Sequence, residues 1–145
     1  MMIQLSPDKI GEQWAIIQPA IEAVFESSGI PMTNAETNNI LQGMIAGRIQ
    51  CFVNVVGEVI KSIMVTYFTF DPRGTKSLLI YSLYGYVPTT DSEWKDVYDY
   101  MKKWAVSNGC VNITAYTQNN RILDIVKKLG GRIESFITLG IGGGQ

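Results

Sequence analysis

At 145 residues, with 46% hydrophobic and 17% charged side chains, the chain has the make-up of one globular domain rather than a disordered or fibrous protein. A formal charge of −1 excludes the basic surface of a general nucleic-acid binder, and no apolar run is long enough to cross a membrane. The absence of histidine removes Ser-His-Asp and Cys-His catalysis, and two separated cysteines offer no zinc spacing.

The amino terminus lacks the basic and apolar regions of a signal peptide, so a cytoplasmic setting is expected. Residues 3 to 5 suit a short strand. Ser6 and Pro7 then read as a helix cap followed by proline at the first helical position. Ile10, Trp14, Ile17, Ile21 and Val24 keep helical spacing, and Pro19 is expected to kink or divide that helix. Thr33 and Glu36 match a capping box. They open a second helix to about Ala46, with Ile40, Leu41, Met44 and Ile45 as its buried face.

From Gln50 the period falls to two. Residues 51 to 56 and 59 to 70 are β-branched and aromatic, and Gly57-Glu58 divides them as a hairpin turn. Asp71-Pro72-Arg73-Gly74 forms a second turn, and a third strand runs from 77 to 87. The three strands make an antiparallel meander. Thr90 with Glu93 is another capping box. The helix it opens carries Trp94, Val97, Tyr98, Met101, Trp104 and Ala105 on one face and stops at Asn108-Gly109. A strand over 111 to 116, an Asn-rich turn and a short amphipathic helix with Ile122, Ile125, Val126 and Leu129 follow. Gly130 and Gly131 end that helix. A final strand is expected over 132 to 139, then a frayed glycine tail over 142 to 145. Cys51 and Cys110 each sit in or beside an apolar strand-like run and read as reduced core residues.

The order β-α-α-β-β-β-α-β-α-β predicts an α/β domain over residues 1 to 141. Its mixed sheet joins an antiparallel meander to a strand–helix–strand crossover. The stretch from Tyr116 to Gly131, a strand end, Asn119 and a helix closing in Lys128-Leu129-Gly130, resembles the last βα unit of the GNAT acyltransferase superfamily. The element order of the whole chain is similar to that family's.

The resemblance implies a V-shaped split between the strands over 77 to 87 and 111 to 116, which receives acetyl-CoA or another acyl-CoA. It implies a pantetheine arm paired with strand backbone and a diphosphate at the start of the next helix. Val87, Thr89, Thr90 and Ser92 would border the donor there, and Asn119 would help hold the arm. The family's glycine-rich phosphate loop is replaced by Val87-Pro88-Thr89-Thr90-Asp91-Ser92-Glu93-Trp94. The carboxylates of Asp91 and Glu93 oppose a diphosphate there.

The position of the family's tyrosine acid falls on Val126, which donates no proton, and its usual Gly-Phe is Gly130-Gly131. Other donors are Tyr84, Tyr86 and Tyr116, with Tyr84 the first candidate and Tyr116 the second. Strand alternation predicts Tyr81 on one face and Tyr84 and Tyr86 on the other. Glu58 and Asp71 are base candidates, or simply solvated turn residues.

Two functions fit the resemblance. One is an acyl-CoA-dependent N-acyltransferase acting on a small-molecule or peptide amine, with a homodimer as one form. The other is a non-catalytic assembly protein that keeps the fold. A virus-encoded chain of this second kind would be a phage virion or internal head component.

Overall fold

The structure is a computed structural model that describes residues 1–27, 31–86, 90–116, 120–135 and 137–142, with side chains except those of 24–27. Its elements are β1 (Met2–Gln4), α1 (Pro7–Ser27), α2 (Asn34–Ile45), β2 (Ile49–Val56), β3 (Val59–Phe70), β4 (Lys76–Gly85), α3 (Asp91–Ser107), β5 (Asn112–Ala115) and α4 (Asn120–Lys128). The strands form one sheet in chain order. β1 to β4 are antiparallel neighbours, and β5 joins β4 in parallel.

The period of two divides the core between the sheet's faces. Cys51, Val53, Ile63 and Val65 meet Ile10, Ile17, Ala20 and Ile21 of α1 and Met44 of α2. Their neighbours Phe52, Met64 and Leu78 turn to the other face. There they meet Val97, Met101 and Ala105 of α3. Cys51 and Cys110 thus belong to opposite layers, and both are free thiols. Burial pushes the Cys51 thiol up to about 12, so it stays protonated at neutral pH.

α1 is one continuous helix through Pro19, not two. Proline removes one helical hydrogen bond, but Ile17, Ala20 and Ile21 on either side of it are fully buried. One unbroken apolar stripe holds the helix together. In α2 the Thr33–Glu36 capping box forms as expected. Its buried positions are Thr37, Gly43 and Met44, while Ile45 faces solvent. The described residues from 131 to 141 form no strand where a final one was expected. Among the described residues β5 is therefore the edge of the sheet. Of the tail, only Gly142 lies among the described residues.

Candidate active site

β4 and β5 share four residue pairs, from Ser77 with Asn112 to Ile80 with Ala115. β4 then runs on to Gly85 while β5 ends at Ala115. Residues 81–85 keep β3 on one side and, among the described residues, have no strand on the other. A split opens here, at the carboxyl ends of two parallel strands.

The split begins at an irregularity. Val65 pairs with Ser82 and Thr66 with Ile80, so Tyr81 is an extra residue in β4, a bulge. The bulge overturns the expected alternation. Tyr81 and Tyr84 both pack in the α1/α2 layer, while Leu83 belongs to the α3 layer. One inserted residue shifts the phase of every side chain after it. Tyr86 lies on the same side. Its ring meets that of Tyr84 edge to face at 5.0 Å, and its hydroxyl donates to the Ile16 carbonyl of α1 at 3.4 Å.

Three phenols gather at this point. The Tyr81 ring lies 5.7 Å from that of Tyr67 on β3, and Tyr67 in turn interacts with Tyr116 at the end of β5. Burial raises Tyr81, with smaller contributions from Tyr67 and from the carboxylate of Glu36. Burial, then Tyr116, raises Tyr67. Both therefore remain hydrogen-bond donors through neutral pH. Glu36 stands exposed in the first turn of α2, where its carboxylate also accepts from Thr33.

The start of α3 forms the other wall. Thr90 Oγ1 accepts the Glu93 N–H at 3.2 Å, and Glu93 accepts in return from the Thr90 hydroxyl at 3.1 Å. Glu93 also pairs with Lys61 of β3 at 3.2 Å. That bond, then those from Thr90, holds its carboxyl below the usual range. Asp91 contacts Arg121 of α4 at 3.5 Å and Lys128 at 4.0 Å. It thereby ties the helix after β4 to the helix after β5, across the open end of the split.

An acyl-pantetheine arm fits the first part of this arrangement, because the edge of residues 81–85 offers backbone partners. A diphosphate fits the second part less well. The Glu93 N–H is already capped, leaving Asp91 and Ser92 to present first-turn N–H groups beside two carboxylates. Asp91→Asn is therefore expected to strengthen CoA binding about five- to tenfold, since it removes one repelling charge. Titration calorimetry checks this. Unchanged or weaker binding would place the diphosphate away from α3.

Of the residues singled out by sequence, Tyr84 and Tyr116 border the split, and Thr90 and Ser92 lie at the start of α3. Val87, Thr89 and Asn119 lie outside the described residues. Asp71 accepts from the N–H groups of Arg73 and Thr75 in the β3–β4 turn, at the end of β4 away from the split. Glu58 is an exposed residue of the β2–β3 turn. Tyr67, Glu36, Lys61, Arg121 and Lys128 escaped sequence reasoning. Their only signal was residue type, because each joins the site through a contact distant in sequence. A concavity of about 190 Å³ between β1 and α3, lined by Met2, Asn54, Asp96 and Tyr100 among others, also reaches Glu93 at the start of α3.

No protein-family model and no curated protein matches the chain. Solved structures do. A probable acetyltransferase superposes with TM-score 0.77 at 12% identity, over 99% of both chains. An aminoglycoside acetyltransferase from an uncultured soil metagenomic sample, in complex with sisomicin, gives 0.72 at 13%, over 100% of this chain and 96% of that one. A predicted acetyltransferase from Clostridium acetobutylicum with acetyl-CoA gives 0.73 at 13%, over 97% and 96%.

The chain has the GNAT acetyltransferase fold. The mixed sheet, with its parallel β4–β5 pair, is the arrangement that the sequence led one to expect. At these identities the likeness is one of fold, and the GNAT scaffold leaves the chemistry to be argued from the residues at the split.

Proposed function

We propose that the chain is an acyl-CoA-dependent N-acyltransferase acting on a small cationic amine. The observation that carries this reading is the unpaired β4 edge, opening at a bulge whose tyrosine meets the Tyr67 phenol of β3. The acyl donor supplies a thioester carbonyl, which the amine nitrogen attacks once it has lost its ammonium proton to water. The carbon–sulfur bond breaks, and the proton that the nitrogen sheds on forming the amide passes through water to the departing thiolate. Backbone N–H groups of residues 81–85 hold the donor in register and bear on its carbonyl oxygen.

Tyr81 and Tyr116 donate hydrogen bonds where negative charge gathers on sulfur. A phenol raised above its ordinary value near 10 is a weaker acid than a thiol near 8.5. Tyr81 therefore stabilises the leaving group by hydrogen bonding and keeps its proton. Tyr84 walls the acceptor side. Glu36, exposed near Tyr81, draws in a protonated amine. Thr90 and Ser92, with Val87, Thr89 and Asn119, complete the donor's surroundings.

The neighbours support an amine acceptor. One is an aminoglycoside acetyltransferase and another a ribosomal-protein-alanine N-acetyltransferase from Brucella melitensis. They lend no support to an assembly role. The test is thiol release from acetyl-CoA with sisomicin, a polyamine and an alanine-initiated peptide in turn. Amine-dependent release is expected with one of the cationic small molecules. Acetyl-CoA at about a hundred times its Kd is expected to stabilise the fold by roughly 2.7 kcal/mol. No release with any acceptor, together with no thermal shift, would overturn the reading.

A further inference from the structure

Tyr81 is not the only bulge residue beside the end of β4. Asn54 of β2 pairs with Ser62 of β3, and Val55 pairs with Ile60, so Lys61 is an extra residue in β3. Ile60 and Ile63 both pack in the α1/α2 layer. Strict alternation back from Ile63 would send residue 61 into that layer as well. The bulge breaks the alternation, and the Lys61 side chain reaches α3 instead. Its ammonium donates to Glu93 Oε2 at 3.2 Å. The Lys61 carbonyl meanwhile accepts the Tyr86 N–H at 2.9 Å, one residue past the end of β4 at Gly85. One residue thus fastens the carboxyl end of β4 through its backbone and the first turn of α3 through its side chain.

The start of α3 depends on such a tether. The α3 side chains in the buried cluster begin at Val97. The helix itself begins at Asp91, roughly a turn and a half earlier. Among the described residues, no first-turn side chain of α3 belongs to that cluster, and charge pairs hold the turn instead. Asp91 meets Arg121 and Lys128 at 3.5 and 4.0 Å, with all three side chains more than half exposed. Pairs so exposed contribute little. Lys61 and Glu93 are closer together and only 31% and 29% exposed. Thr90 fixes the other Glu93 oxygen, its hydroxyl donating at 3.1 Å.

We propose that Lys61 is a positioning residue for the acyl donor, holding the first turn of α3 at a set place beside the open β4 edge. The role rests on the acyl-CoA reading above, in which the donor lies along residues 81–85 with Thr90 and Ser92 beside it. A donor that touches both elements binds best when their spacing is fixed before it arrives. Lys61 acts through Glu93 and stays clear of the reacting atoms. Its loss therefore weakens donor binding and spares the chemical step.

Substitution of Lys61 tests this, with acetyl-CoA as the probe. Lys61→Met keeps most of the side chain's length and removes its charge, and Lys61→Gln is a second uncharged variant. Both are expected to raise the Kd and the KM for acetyl-CoA about tenfold, with kcat and the amine KM within about threefold of wild type. Circular dichroism should not change, since the carbonyl bond to Tyr86 survives both substitutions. Lys61→Arg should restore the Kd to within about threefold of wild type, because a guanidinium also pairs with Glu93. In a Glu93→Gln background, Lys61→Met should move the Kd by less than about threefold, since the ion pair is already gone. A further tenfold loss in that background would mean that Lys61 touches the donor itself, and it overturns the positioning role. A fall in kcat with the Kd unmoved overturns it too. A wild type that neither binds acetyl-CoA nor transfers acetyl to any amine overturns the acyl-CoA reading and this role with it. A wild type that binds acetyl-CoA, with both uncharged variants within about threefold of it, overturns the Lys61 role alone.

Discussion

Tyr81→Phe is expected to lower kcat/KM for acetyl transfer about 10²- to 10³-fold, the usual effect of removing one positioned donor from a developing anion. Tyr81 is the bulge residue of β4 and follows directly on Ile80, the last residue of that strand paired with β5. Its backbone thus sits where the split begins. The substitution keeps the ring, so packing against Tyr67 at 5.7 Å and against the α1/α2 layer survives. Stability should fall by no more than about 1.5 kcal/mol, the scale of one net hydrogen bond.

The pH dependence separates this role from a general structural one. Burial first, then Tyr67 and Glu36, raises the Tyr81 phenol above the usual phenol range. The protonated, donating form therefore persists through that range and is lost only as pH rises through the raised value. A Tyr81-dependent fall in rate belongs on the alkaline side of the usual phenol range, and Tyr81→Phe should abolish that limb. Tyr116→Phe should lower the rate in the same direction, and Tyr84→Phe should leave it within a few-fold, because Tyr84 lines the acceptor wall beside Tyr86. A Tyr81→Phe rate within threefold of wild type would remove Tyr81 from the chemistry.

Most of the fold was legible because local signals and tertiary packing agree. The two capping boxes form at Thr33 and Thr90. The change from a helical period to a period of two marks where the meander begins. β3 has the bounds that its residue types indicate. The misreadings arise where one residue's fate depends on a distant strand. A bulge has no sequence signature here, so Tyr81 and Tyr84 read as opposite when they are neighbours on one face. The alternation after Arg132 shows that the segment suits a strand, but alternation does not name the edge it joins. Asp91 and Glu93 were read correctly as charges at the start of α3. Their partners Arg121, Lys128 and Lys61 come from other elements, and only the fold brings them together.

Phe52→Ala is expected to destabilise the domain by about 3–5 kcal/mol, the range for truncating a buried aromatic. Phe52 is fully buried on β2, paired in register with Gln4 of β1 and Met64 of β3. Its ring meets Trp104 of α3 edge to face at 5.0 Å and Tyr100 at 6.2 Å. It also shares a buried cluster with Met64, Leu78, Val97, Met101 and Ala105. Phe52 therefore pins α3 to the sheet, and α3 carries the Thr90–Glu93 wall of the split. Domains of this kind have about 5–15 kcal/mol in total, so the variant loses a large share of its stability. Its Tm should drop by roughly 10–20 °C. Phe70→Ala is the control. Phe70 is 67% exposed at the end of β3, so its loss should stay within about 0.5 kcal/mol. Urea unfolding of both variants reads the difference. A loss below 1.5 kcal/mol for Phe52→Ala would mean that α3 is held by its other contacts and that the wall of the split does not depend on this ring.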